Sequence, residues 1–241
     1  MPTEILRPSD FEPLREWMVA LLAELVEIES PTTDKAAVDQ LGERLALEAR
    51  RLGAQVQPHP RQEVGDCLVC RWNPSAASAG LLILCHMDTV FGLGTLAQIP
   101  FRRAGGRIAD PGTMDMKAGI VQALAVIRRL RETGRMPARP ITLLLTSDEE
   151  TGSLHSRALI EDLARQAEAA FCLEPAMANG AIKTSRKGTG DIFLEVHGVA
   201  AHAGVNHEKG RNAIEELAYH ILAAQRLTDY SKGTTVNVGL F

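Results

Sequence analysis

The sequence predicts an α/β protein, a mostly parallel sheet flanked by helices with the beginning of a second α+β domain, and three observations predict it. Leu81 to Cys85 is a run of apolar and thiol residues of the length and type that suits a strand buried on both faces. Segments of this kind alternate with amphipathic stretches in the order strand, helix, strand, helix, strand, at a spacing that implies parallel strands with helices on the sheet faces. Near Thr184 the pattern changes to period-two alternation around a single helix. The boundaries that follow are 1–183 for the first domain and 184–241 for the second.

In order, Glu12 to Glu29 has Leu14, Met18, Leu21, Leu22, Leu25 and Ile28 on one helical face and stops at Ser30-Pro31, since proline biases the residue before it away from helix. Asp34 is placed to cap a second helix carrying Val38, Leu41, Leu45 and Leu52, closed by Gly53. Strands are expected around Gln55 to Gln57 and Cys67 to Trp72, and a Pro-Ser-Ala loop then leads into the strand from Leu81. A glycine-punctuated loop runs from Asp88 to about Met114, too long for a simple connection and therefore functional in character. A helix from about Met116 to Arg131, a strand from Ile141 to Thr146, a helix ending near Ala167 and a strand from Ala170 to Leu173 complete the first domain. In the second, Ile192 to His197 and Thr234 to Phe241 read as strands and Arg211 to Leu227 as an amphipathic helix.

The chain has 241 residues, enough for a sizeable core, with 45% hydrophobic and 23% charged residues, ordinary values for a soluble protein. Its formal net charge of −4 and the lack of a long block of one sign recommend neither nucleic acid nor an anionic membrane as partner. No apolar run approaches the ~20 residues of a membrane span, and the first residues have no signal-peptide core, so a cytoplasmic location is expected. Cys67, Cys70, Cys85 and Cys172 each lie in a strand-like segment and are expected to be reduced core cysteines; residues three apart in a strand face opposite sides, so Cys67 and Cys70 make no ligand pair.

The chemistry gathers where strands end. His86 and Asp88 are two apart and so emerge on the same side of the strand's carboxyl end, where open α/β sheets keep their ligand crevice. Glu149 and Glu150 follow another strand, Glu174 ends a third, and Asp115 precedes a helix. Taken singly, each has a bland reading: a structural histidine, a helix N-cap for Asp115, loop acids for the glutamates. Together, several carboxylates and an imidazole on one edge would repel and lose stability without a cation. A divalent ion, or a pair sharing a bridging carboxylate, resolves the conflict, and mixed oxygen and nitrogen donors suit zinc, with cobalt or manganese as substitutes.

Five segments carry a resemblance: Leu81 to Val90 (LLILCHMDTV), Asp110 to Gly119 (DPGTMDMKAG), Thr146 to Gly152 (TSDEETG), Leu173-Glu174-Pro175, and Val199 to Gly204 (VAAHAG). In this order and spacing they resemble the family of co-catalytic zinc hydrolases that includes glutamate carboxypeptidase, acetylornithine deacetylase and aminoacylase, most closely its bacterial glutamate carboxypeptidase branch. The resemblance implies a zinc-exopeptidase-like catalytic domain followed by a dimerisation (lid) domain. It implies two zinc ions, with His86 and Glu174 on one, Glu150 on the other and Asp115 bridging. Asp88 would orient His86, and Glu149 would be the general base toward metal-activated water. His202 matches a histidine that reaches from the second domain into the partner subunit's active site and stabilises the oxyanion; on residue type alone it is an exposed strand-end histidine, as are His197, His207 and His220. The implied substrate is a small peptide or N-acyl amino acid, cleaved to release a C-terminal glutamate or similar residue, and the implied assembly is a homodimer through the second domain.

The family's second zinc takes one more histidine, far downstream, and no residue before Phe241 matches it or the usual substrate-carboxylate arginine. The expectation is therefore that these residues are an incomplete portion of a longer protein. Deacetylase, aminoacylase or dipeptidase activity, or a non-catalytic module that keeps only the site made by His86, Asp115 and Glu174, are the alternatives.

Overall fold

A computed structural model describes residues 5–75 and 78–239. The chain divides into two compact units, Met1–Lys183 and Thr184–Phe241. The first unit is built from α1 (Arg15–Glu27), α2 (Lys35–Arg51), β1 (Gln55–His59), β2 (Cys67–Trp72), β3 (Gly80–His86), α3 (Thr95–Gln98), β4 (Arg102–Ala104), β5 (Arg107–Ala109), α4 (Ala118–Glu132), β6 (Ile141–Thr146), α5 (Arg157–Gln166) and β7 (Ala167–Cys172). A five-stranded sheet has the order β1-β2-β6-β3-β7. Its centre is parallel, β3 against β6 and β7, and its β1 and β2 side is antiparallel.

Alternation along the strands sorts the core into two layers. Leu143 and Leu145 of β6 face the larger cluster with Leu25, Leu41, Leu45, Ile120, Leu124 and Ile127 from α1, α2 and α4, while Leu144 between them packs with Val69, Leu82 and Leu163 of α5. Both faces of β6 are thus buried and β3 is covered in part on each, which is why their sequences run apolar without a break. The Asp34 side chain accepts the Ala37 N–H at 3.0 Å and starts α2 as a cap. At the other end of α2, the Trp72 indole N–H donates to the Leu52 carbonyl at 2.8 Å, tying the helix to β2.

Several elements differ from expectation. The helix expected from Glu12 begins only at Arg15, because Pro13, which has no N–H to give, sits in a tighter turn over Pro8–Leu14. The long loop after Asp88 contains α3 and the β4/β5 hairpin, whose Gly105-Gly106 turn has both φ values positive. The last strand starts earlier, at Ala167, and lies on the sheet edge, leaving Cys172 exposed rather than in the core; Cys67, Cys70 and Cys85 are buried, free thiols.

In the second unit the described residues form one α-helix, α6 (Ala213–Gln225), capped by Asn212 accepting from Ile214 N and Glu215 N. The strands expected at Ile192 to His197 and from Thr234 onward do not form among the described residues; residues 240 and 241 lie outside them. A strand needs a neighbour for its ladder, and the β-bridges within this unit, Val199 with Arg211 and Asp229 with Thr234, leave 192–197 unpaired, with Phe193 96% exposed. No helix among the described residues is long and apolar enough to cross a membrane.

Candidate metal centre

The site is assembled by the parallel register of the central strands. His86 pairs with Thr146, so β3 and β6 end together, and the chain beyond each continues alongside the other, with Met87 N donating to Thr146 O at 2.8 Å. On the other flank, Leu173 N donates to Leu84 O at 3.2 Å and brings Glu174 to the same edge. Asp115 arrives from a bend: Gly112 has a φ of +80°, Asp115 itself is extended, and α4 begins only at Ala118. The Asp115–Met116 peptide bond is cis. Asp115 therefore does not cap a helix; its carboxylate turns to His86.

His86 is 1% exposed. Its Nε2 lies 3.0 Å from Asp115 Oδ1, 3.4 Å from Glu174 Oε1 and 4.0 Å from Glu149 Oε2. Two overlapping groups, His86 with Glu149 and Glu174, and His86 with Asp115 and Glu150, each place one donor atom per residue within 4.8 Å of the others. The histidine is buried, whereas the side chains of Asp115 and Glu149 are about half exposed, so the cluster opens to solvent on its acidic side.

Asp88 does more than the sequence suggested. His86 Nδ1 is 2.9 Å from the Asp88 backbone carbonyl and 3.4 Å from its carboxylate, so the carbonyl is the closer acceptor for a ring N–H there. With a cation bound, that bond would fix the tautomer whose Nε2 lone pair is free to ligate it. The Asp88 carboxylate, fully buried, accepts the backbone N–H of Glu149 at 3.3 Å, that of Glu150 at 3.2 Å and the Thr32 hydroxyl at 2.7 Å. Asp88 thus orients the imidazole with its main chain and holds the Glu149-Glu150 turn with its side chain.

The electrostatics match this crowding. Burial pushes the Glu149 carboxyl above its ordinary range, as do the neighbouring Glu174, Asp88 and Asp115, while His86 pulls it down. Glu150 is raised, again chiefly by burial. Glu174 is lowered, first by its hydrogen bond with His86. Burial alone would lower the His86 imidazole, but Asp88 and Glu174 outweigh it and hold it up at about 11. An imidazolium among these carboxylates supplies the positive charge the cluster requires. A divalent cation would supply it instead, on a donor set of one imidazole and several carboxylates that fits zinc.

Two residues at this edge were legible only in part. Lys117 lies in the Asp110 to Gly119 segment, but no role follows from its position there. In the fold it is buried, with Nζ donating to Leu25 O at 3.0 Å and Ile28 O at 2.9 Å, which pins the chain after Asp115 to the carboxyl end of α1. Burial brings it down to about 8, with Asp110 and Glu29 resisting. Thr32, just after the Ser30-Pro31 helix stop, carried no reading in the sequence. His202 lies in the second unit, exposed, its Nδ1 accepting the Gly204 N–H at 3.1 Å, and is not among the residues this cluster brings together.

Residues 82–237 match the peptidase family M20/M25/M40. Over 224 residues the chain is 34% identical to carboxypeptidase G2 of Pseudomonas sp. (strain RS-16), covering 91% of this chain and 54% of that protein. It is 27% identical over 223 residues to acetylornithine deacetylase of Proteus mirabilis (strain HI4320), covering 89% and 56%. The chain spans about half the length of the curated relatives it matches. In fold it is similar to the aminopeptidase PepT from Bacillus cereus ATCC 10987, with a TM-score of 0.59 at 24% identity over 87% of this chain and 56% of that one. It is also similar to the dipeptidase Dug1p from Saccharomyces cerevisiae, with a TM-score of 0.62 at 14% identity over 96% and 53%. The sheet, the acidic cluster at its edge and the match over residues 82–237 agree: the chain belongs to the M20 family of metallohydrolases.

Proposed function

We propose that the protein is a two-zinc amide hydrolase of carboxypeptidase type, releasing a C-terminal glutamate or similar amino acid from a peptide or N-acyl substrate. The observation that supports it best is His86 Nε2 facing Asp115, Glu174 and Glu149 at 3.0 to 4.0 Å on an edge open to solvent. In this reading His86 and Glu174 would hold one ion, Glu150 would hold the other and Asp115 would serve both; cobalt or manganese would be substitutes. The bound ions would supply Lewis acidity toward water and the scissile carbonyl. Glu149 takes the proton from the attacking water on its carboxylate and returns it to the departing amine, a task suited to a carboxyl whose proton affinity is already raised. His202 of each subunit would serve the active site of the other in a homodimer, donating to the oxyanion.

The relatives' names favour the carboxypeptidase reading by identity and keep deacetylation as the nearest alternative. A different reading, a module holding a single ion without turnover, draws on one feature: both donor groups depend on the same imidazole. Zinc titration with hydrolysis measured on the same preparation of the full-length protein separates these. Two ions per chain and cleavage of an N-acyl glutamate in preference to an N-acyl ornithine are expected. One ion and no cleavage of either, or of a dipeptide, would replace the hydrolase with the module.

A further inference from the structure

We infer that Thr32 is a positioning residue of the metal centre, acting through the Asp88 carboxylate on the Glu149-Glu150 turn; this rests on the metal-centre reading above. A carboxylate buried without solvent must have its lone pairs met, and each contact it makes then restricts its rotation about the side-chain bonds. Asp88 is held at both oxygens. Oδ1 accepts from Glu149 N, and Oδ2 accepts from Glu150 N and, at the shortest of these distances, from the Thr32 hydroxyl. The two amide bonds are long, at 3.3 and 3.2 Å, so the 2.7 Å hydroxyl contact is the one that sets where Oδ2 stands.

Thr32 is itself fixed from behind. Its N–H donates to Thr89 O at 3.2 Å, Thr89 N donates to Ser30 O at 2.8 Å, and the Ser30 hydroxyl donates to Met87 O at 2.8 Å. The Ser30 to Thr32 segment thereby runs parallel to the chain that leaves β3, with Pro31 bridged to Thr89. Thr32 is 6% exposed and Asp88 0%, so water does not readily replace the hydroxyl. Without it, Oδ2 keeps only the weak Glu150 bond on that side, and the carboxylate can rotate toward the imidazole Nδ1 3.4 Å from Oδ1. The backbone of Glu149 and Glu150 would follow, moving two donors of the cluster while leaving every donor side chain intact.

Cobalt(II) titration of the full chain, followed by calorimetry and by the visible spectrum of the bound ion, tests this. Thr32→Val, which exchanges the hydroxyl for a methyl group, is expected to weaken cobalt binding by up to about 10-fold, the low end of the effect of losing an outer partner because Thr32 acts one bond further out, through Asp88, and to alter the spectrum. Thr32→Ser, which keeps the hydroxyl, is expected to bind as wild type does. Leu45→Ala, a truncation in the core far along α2, is expected to lose stability with cobalt affinity unchanged, which separates positioning from general destabilisation. If Thr32→Val does not fold, Thr32→Ala takes its place. A folded Val or Ala variant that binds cobalt like wild type, or a Ser variant as weak as Val, overturns the role of the hydroxyl alone. Wild-type protein that binds no cobalt overturns the metal centre and this role with it.

Discussion

Replacing Glu149 by glutamine is expected to lower turnover by roughly 10²- to 10⁴-fold, the range for losing a positioned proton acceptor, with bound metal unchanged. The amide keeps the size and the backbone bond to Asp88 but cannot accept a proton. Glu150→Gln is expected to behave differently, losing one of two bound ions, because a neutral amide oxygen is a poorer ligand than a carboxylate. The contrast matters because geometry alone puts Glu149 in one donor group and Glu150 in the other, each with His86. Metal content measured beside steady-state rates decides between them. A Glu149→Gln protein that loses metal, with a Glu150→Gln protein that keeps it, would exchange the two roles; unchanged turnover in Glu149→Gln would remove the base assignment altogether.

Gly119→Ala is expected to destabilise the protein by about 1–3 kcal/mol, the usual result of overpacking, and to weaken metal binding as well. On an exposed helix the same change would be stabilising by up to ~1 kcal/mol. Here a Cβ would stand 2.4 Å from the Leu173 carbonyl oxygen and 3.1 Å from Met116 Cε. The methionine tip can yield, but Leu173 is backbone, and it precedes Glu174. Relief of the overlap therefore moves the strand end that carries a donor. Urea unfolding and cobalt titration of the variant check both parts; wild-type values in both would mean that α4 shifts as a body and leaves the site untouched.

The central sheet was legible because its strands spell out their length in apolar residues: Ile141 to Thr146 is buried nearly throughout, and Leu81 to His86 carries the same run although Leu81, Ile83 and Leu84 are only half-buried. The convergence of His86, Asp115, Glu149, Glu150 and Glu174 was legible because parallel strands end on one edge. Less was readable where structure depends on a partner distant in sequence. Ile192 to His197 alternates as a strand should, yet alternation specifies only which residues share a face and supplies no neighbour to pair with. The Thr32 hydroxyl acts through a contact 56 positions away and the Lys117 ammonium through two, 92 and 89 positions away, so nothing in their local sequence announces them. Asp88 was legible as the partner of His86 but not in full: its main-chain carbonyl is the closer acceptor for the ring at 2.9 Å, its carboxylate stands 3.4 Å away, and that carboxylate also holds the Glu149-Glu150 turn.

The position of β7 on the sheet edge has a practical consequence. Three of the four thiols are buried, and burial holds Cys70 at about 12 and pushes Cys67 and Cys85 up as well. Cys172 alone is exposed, and it stands two residues before Glu174. Its own thiol is also raised by partial burial and by the nearby glutamates, so alkylation should be slow at neutral pH and faster in mild alkali, where the thiolate forms. A fluorophore delivered under those conditions would label the native chain at one place, two residues before Glu174, and a change in its emission on adding a metal ion would report occupancy of the cluster without any substrate.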